Sequence, residues 1–160
     1  MPLDLAALVR RDHDDISYGL DLIVDPATPS ATVLDAVDGV RLGFRVHAIA
    51  EERVFRMLAR LQPLPLIADA SAHAMRDHID QEVMLDRFLH GYEPGTQRWY
   101  EWVLEVRESM TRHAFAADLM AARLRDAIPS RLFDQLASRY ATERLRVLAD
   151  TRPLAFSEAC

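Results

Sequence analysis

Four histidines, His13, His47, His78 and His113, fall one each on the apolar stripes of four successive helical patterns. His13 aligns with Val9, Ile16, Leu20 and Ile23, and His47 with Val40, Phe44, Val54 and Leu58. His78 shares a face with Met75, Leu85 and Leu89, and His113 with Val106, Met110, Ala117, Met120 and Leu124. Such a stripe is the face a helix buries. Three of the four have an acid nearby. Glu51 follows His47 by four residues and Glu82 follows His78 by four, a spacing that stacks two side chains on one face about 6 Å apart. Asp118 follows His113 by five, which turns it partly toward a neighbouring helix. Taken singly, each histidine is a core residue with one hydrogen bond, and each His–Glu pair is a surface ion pair. Taken together they point to metal. Buried imidazoles and carboxylates without compensation are costly, and inward histidines and acids on facing helices are how bundles build metal sites. Three carboxylates match two divalent or trivalent cations; a mononuclear site and a degenerate, metal-free one are the alternatives.

The elements that must position these groups follow from breaks and caps. A first helix spans about 4–24 and stops at "DPATPS". Ser30 is placed to cap a second that runs to about Leu61, where "QPLPL" breaks it. A third covers about Asp69–His90, closed by "GYEPG", and a fourth about Thr96–Ile128. Pro129 and Ser130 restart the chain as a shorter helix over about 130–149. No alternating strand pattern and no internal repeat is present. Four long amphipathic segments on short loops predict an all-α, antiparallel up-down four-helix bundle with an additional C-terminal helix. Gly39 and Gly43 mark either a close helix crossing or tolerated glycines.

Composition narrows the function. The chain of 160 residues is the size of one domain, 1–160, with the bundle at about 4–128. A net charge of −6 argues against a general nucleic-acid binder. All 19 basic residues are arginine, and no lysine or asparagine occurs, which reads as codon bias in a GC-rich, bacterial genome. Schiff-base and P-loop lysines are thereby excluded. Cys160 stands alone at the end, so no disulfide framework or thiolate metal site is expected. No apolar run is long enough for a membrane span, and "MPLDLAALVRRDHDD" lacks the order of a signal peptide; the expected location is cytoplasmic.

The motifs "RRDHDDI", "FRVHAIAEE", "MRDHIDQE" and "TRHAFAAD" occur in that order, one per helix. In this the chain resembles the hemerythrin-like (HHE cation-binding) family over about residues 4–128. The family pattern is one His on the first helix, H-x-x-x-E on the second, H-x-x-x-H on the third and H-x-x-x-x-D on the fourth. The resemblance implies two Fe ions in an oxo- or hydroxo-bridged di-iron centre. Glu51 and Asp118 would bridge, His13 and His47 would hold one iron, and His78 and His113 the other. The third helix departs from the pattern, with Glu82 where the second His should stand. Glu82 is the expected ligand there. His73 lies five residues before His78, roughly 140° around the helix, and substitutes only with local unwinding. Glu52 points about 100° away from Glu51 and suits a salt bridge.

A carboxylate at 82 adds charge and a hard oxygen, favouring oxidised metal over reversible oxygen carriage. The expected function is a non-heme di-iron protein that binds, senses or reacts with O2, peroxide or NO, with peroxide decomposition or iron oxidation if it is an enzyme. Two alternatives stand: an iron-handling or iron-sensing module whose fold depends on metal occupancy, and a metal-free adaptor using the 130–149 helix. Around the site, Tyr18 is expected partly buried, Asp14 and Asp15 face water, and Met75, Met110 and Met120 line a pocket. Trp99 and Trp102 are expected to seal the bundle end, and His90 to lie at the surface.

Overall fold

The computed structural model describes residues 3–151, with 88–90 described by backbone alone, so the expectations for His90 and Cys160 lie outside the described side chains. Five helices and no strand occur among the described residues: α1 (Leu5–Val24), α2 (Ser30–Leu61), α3 (Pro65–Gly91), α4 (Gln97–Ala127) and α5 (Ser130–Thr151). Asp4 caps α1 by accepting from the Ala6 amide at 3.0 Å, and Thr96 caps α4 by accepting from Trp99 N at 3.3 Å. Two expected starts move. Ser30 is already helical and gives no side-chain cap to α2. α3 begins four residues before Asp69, because Pro65 opens the helix. A proline that cannot continue a helix suits its first turn, where its missing N–H would have had no partner.

Around the molecule, α1 packs against α2 and α4, and α3 against α2 and α4, while among the described residues the backbones of diagonal pairs stay apart and only site side chains meet across the α2–α4 diagonal. Pairs such as His13–His47 with Gly43 beside Ile16 run α1 against α2 in opposite directions. Asp4–Arg125 and Asp21–Arg107 do the same for α1 and α4, and His113–Asp77 and Trp102–Met84 for α3 and α4. α5 lies outside this ring, mainly against α1 and α2. Of the glycines, Gly19 stands at the tightest crossing: a Cβ there would sit 2.6 Å from Val40 Cγ2, one on Gly43 3.3 Å from Ile16, and one on Gly39 would meet nothing.

The apolar interior is divided in two. One cluster gathers Leu5, Val9, Val54, Phe55, Leu58, Ile67, Leu124, Phe133, Leu136 and Tyr140, among others. The other gathers Ile16, Leu20, Val37, Val40, Phe44, Leu85, Trp99, Val103, Val106 and Met110. Between them lies a slab of buried polar side chains: Asp12, His13, His47, Glu51, His78, Gln81 and His113. Each histidine sits in sequence where its stripe passes from one cluster to the other. Trp99 is buried, and Trp102 donates its indole N–H to Met84 O at 2.9 Å, closing that end. Tyr18, expected partly buried, is 66% exposed, because it lies off the stripe that His13, Ile16 and Leu20 define.

Candidate metal centre

α1, α2, α3 and α4 each deliver one histidine to the slab. His47, His78 and His113 with Glu51 form one buried group whose candidate ligand atoms lie within 4.8 Å of one another. Glu51 Oε2 is 3.1 Å from His78 Nε2, 3.6 Å from His113 Nε2 and 3.7 Å from His47 Nε2. His113 Nε2 is 3.3 Å from the Nε2 atoms of both His47 and His78. His13 Nε2 stands beside the group, 3.2 Å from His47 Nε2. Bonds of about 2.1 Å at tetrahedral angles separate ligand atoms by about 3.4 Å. The separations from Glu51 and from His113 lie near that spacing.

The outer face of two rings decides which nitrogen carries the proton. Tyr140 donates its hydroxyl proton to Asp12 Oδ2 at 2.6 Å, since a carboxylate can only accept. Its oxygen therefore accepts from His47 Nδ1–H at 3.0 Å. His113 Nδ1–H donates to Asp77 Oδ2 at 3.2 Å. In both neutral rings the Nε2 lone pair then faces the centre, and the two lone pairs oppose each other at 3.3 Å. That arrangement needs a cation between them, either a proton or a metal. Outer partners that set the tautomer in this way are the usual support of metal-binding histidines.

The electrostatics agree with the geometry. Burial pushes His13 down to about 4, with His113 adding to the effect, and burial holds His47 well below the ordinary histidine range. Burial opposes the charge on Glu51, but His113 and His78 outweigh it and hold the carboxyl well below its usual range. For His113 burial is likewise outweighed, by Glu51 and then Asp77, and its pKa is raised. An anion thus sits among three imidazoles. Among the described residues, three buried side-chain atoms still lack a hydrogen bond: Glu51 Oε2, His78 Nδ1 and Gln81 Oε1. An orphaned carboxylate oxygen facing three imidazole nitrogens is what a bound cation would satisfy, so the residues present fit a metal ion.

Not every expected ligand joins this group. Glu82 is exposed, and Gln81 occupies the buried position instead, its Nε2 donating to Ser109 O at 3.3 Å. The inward residues of α3 are Ile67, Ala70, Ala74, His78, Gln81 and Leu85, spaced three or four apart. Glu82 lies one step past that stripe. Asp118 is 41% exposed at its side chain and pairs with Arg10, 3.1 Å away. It acts on His13 electrostatically but does not contact the four-residue group. His73 is exposed, 3.6 Å from Asp77 Oδ2, and Glu52 pairs with Arg56 at 3.1 Å. Asp14 and Asp15 face water, whereas their neighbour Asp12 is buried.

The residues missing from the sequence reading are the outer partners. Tyr140 and Arg144 come from α5, and Arg144 Nε donates to Asp12 Oδ1 at 2.6 Å. α5 is fastened to α2 through buried Glu143, which Arg53 reaches at 2.6 Å, Arg139 at 2.7 Å and Arg146 at 2.9 Å. One signal for Tyr140 was present: Phe133, Leu136, Ala137 and Tyr140 make an apolar stripe, and a tyrosine buried in such a stripe requires a partner for its hydroxyl. That stripe faces the interior, so it is not free to bind an outside partner.

No protein-family model matches the chain, and no curated protein or solved structure matches it. No helix among the described residues is long and apolar enough to cross a membrane.

Proposed function

We propose that this chain is a non-heme iron protein of the hemerythrin-like type, an up-down four-helix bundle with a fifth helix, that binds, senses or reacts with O2, peroxide or NO. The observation that carries the reading is the convergence of His47, Glu51, His78 and His113 on one buried point, with two Nε2 lone pairs turned inward by Tyr140 and Asp77. Iron held there supplies the redox chemistry; the protein supplies ligands and a dry surround. His47 and His113 present neutral donors of fixed orientation. Glu51 contributes the negative charge that offsets a cation. The apolar clusters cover the group toward both ends of the bundle.

The four-residue group accounts for one ion. A second, near His13, needs Asp118 to leave Arg10 and turn inward, and an exposed ion pair of that kind is a weak restraint. Because Glu82 lies at the surface, the donor set is richer in histidine than the third-helix motif suggested. The charge argument for oxidised metal then rests on Glu51 alone.

Anaerobic reconstitution with ferrous iron, metal counting, and absorption spectra before and after air test the reading. Stoichiometric iron with visible bands that appear on oxidation supports it, and the count decides between one ion and two. Absence of stoichiometric metal after reconstitution would overturn it and leave a metal-free helical protein.

A further inference from the structure

A cavity of about 520 Å³ opens between α3 and α4, beside His113. Its walls are apolar, including Phe55, Ala70, Ala74, Ala117 and Met120, and its inner wall includes His113. The volume exists because alanine stands at 70, 74 and 117, where larger side chains would close it. A diatomic or peroxide has no use for such space, since a single water takes about 30 Å³. The size is that of a pocket for a small organic molecule.

The rim carries charge. Arg76 and Arg123 are both exposed there, and neither has an ion pair among the described residues. Asp69 is the one carboxylate of the lining, and His73 beside it is already 3.6 Å from Asp77. The rim is therefore left with positive charge, while the interior is apolar.

We infer that this cavity binds an aliphatic monocarboxylate, its chain against the alanine-lined walls and its carboxylate at the positive rim. Planar guanidinium groups suit a carboxylate, and an aliphatic chain suits the apolar walls. A bound chain lies against the ring that faces the metal site, and so controls what reaches that site from this side. The binding itself does not need the metal.

Calorimetric titration of the full chain with sodium octanoate tests this, on metal-free and zinc-loaded protein, with metal content counted in each sample. Saturable one-to-one binding is expected, with octylamine at least about tenfold weaker. The double variant Arg76→Gln/Arg123→Gln weakens octanoate about tenfold or more, and Ala74→Leu does the same by filling the space. Octanoate also shifts the His113 imidazole NMR signal. Equal binding of octanoate and octylamine, or unchanged affinity in the arginine double variant, overturns the inference, as does absence of saturable binding. Octanoate binding to protein that takes up no metal supports this inference while refuting the metal reading; metal uptake without octanoate binding does the opposite.

Discussion

Replacing Tyr140 by Phe removes one oxygen and keeps the ring that packs among Leu136, Phe133 and Leu58. Two interactions go with it: the hydrogen bond to Asp12 at 2.6 Å and the acceptor for His47 Nδ1–H at 3.0 Å. A hydrogen bond to a charged partner contributes about 1.5–3 kcal/mol, and a buried donor left unpaired costs about 1–3 kcal/mol. Asp12 keeps Arg144, which limits the total. The expected loss of folding stability is roughly 3–5 kcal/mol. Stability alone would not separate this from ordinary core damage. The tautomer argument makes a second demand: with Tyr140 gone, nothing holds the His47 Nε2 lone pair toward Glu51, and metal affinity falls about 10–100-fold. Competition of Zn(II) between the protein and a chromophoric chelator measures that, alongside urea unfolding of the metal-free form. Leu136→Ala is the control. Leu136 is fully buried in the apolar cluster, and its truncation costs about 2–5 kcal/mol, yet it can make no hydrogen bond to a ligand ring and should leave metal affinity within a few-fold. If Tyr140→Phe and Leu136→Ala lose stability alike and neither changes zinc affinity, the reasoning about His47 is wrong.

Four further outcomes follow from the same geometry. Alanine at His47, Glu51, His78 or His113 abolishes stoichiometric metal, whereas Glu82→Ala leaves the metal count unchanged; a lost count in the Glu82 variant would show that α3 turns differently in the loaded protein. Metal at about a thousandfold excess over its dissociation constant adds about 4 kcal/mol, so loaded protein melts roughly 10 °C above the metal-free form by calorimetry. In the metal-free protein, His13 has a folded pKa of about 4 against 6.5 unfolded, so the unfolded chain binds more protons between those values and stability falls as pH drops through that window, by about 3 kcal/mol for His13 alone. His47 acts in the same direction, and the raised His113 contribution is already complete below 6.5, so urea midpoints should decline steadily from pH 7 to pH 4. Gly19→Ala lowers the melting temperature, because its Cβ would stand 2.6 Å from Val40 Cγ2, while Gly39→Ala meets nothing and raises stability by about 0.5–1 kcal/mol.

What could be read from the sequence, and what could not, follows from how far each residue's partners lie along the chain. His13, His47, His78 and His113 were legible because a polar residue interrupting an apolar stripe is a local signal. Glu51 was legible because it shares a face with His47 in the same helix. Glu82 shows how a small error propagates. Beginning α3 at Asp69 left Ile67 out of its register, and without Ile67 the stripe through His78 runs as readily to Glu82 as to Gln81. Recognising Pro65 as a first-turn residue would have restored the register. Asp118 was expected to turn toward a neighbouring helix and reach the metal, but the sequence could not say that Arg10 of α1 would meet it at the surface. Asp77 and Tyr140 act across helices on rings that belong to other segments. No spacing rule within one helix reveals such pairs. The cavity beside His113 was equally hidden, since alanines 70, 74 and 117 look like ordinary helix formers until two helices bring them face to face.

The polar slab has a consequence for how this molecule can change over generations. It parts the interior into two packing compartments that share few side chains. Substitutions far enough apart to have no common neighbour are close to additive. A change at Leu58 or Leu136 on one side and a change at Leu20 or Val103 on the other should therefore accumulate independently. Each compartment can be repacked while the other, and the histidine layer between them, stays as it is. Drift is then freest at the two ends of the bundle and most restricted at its waist.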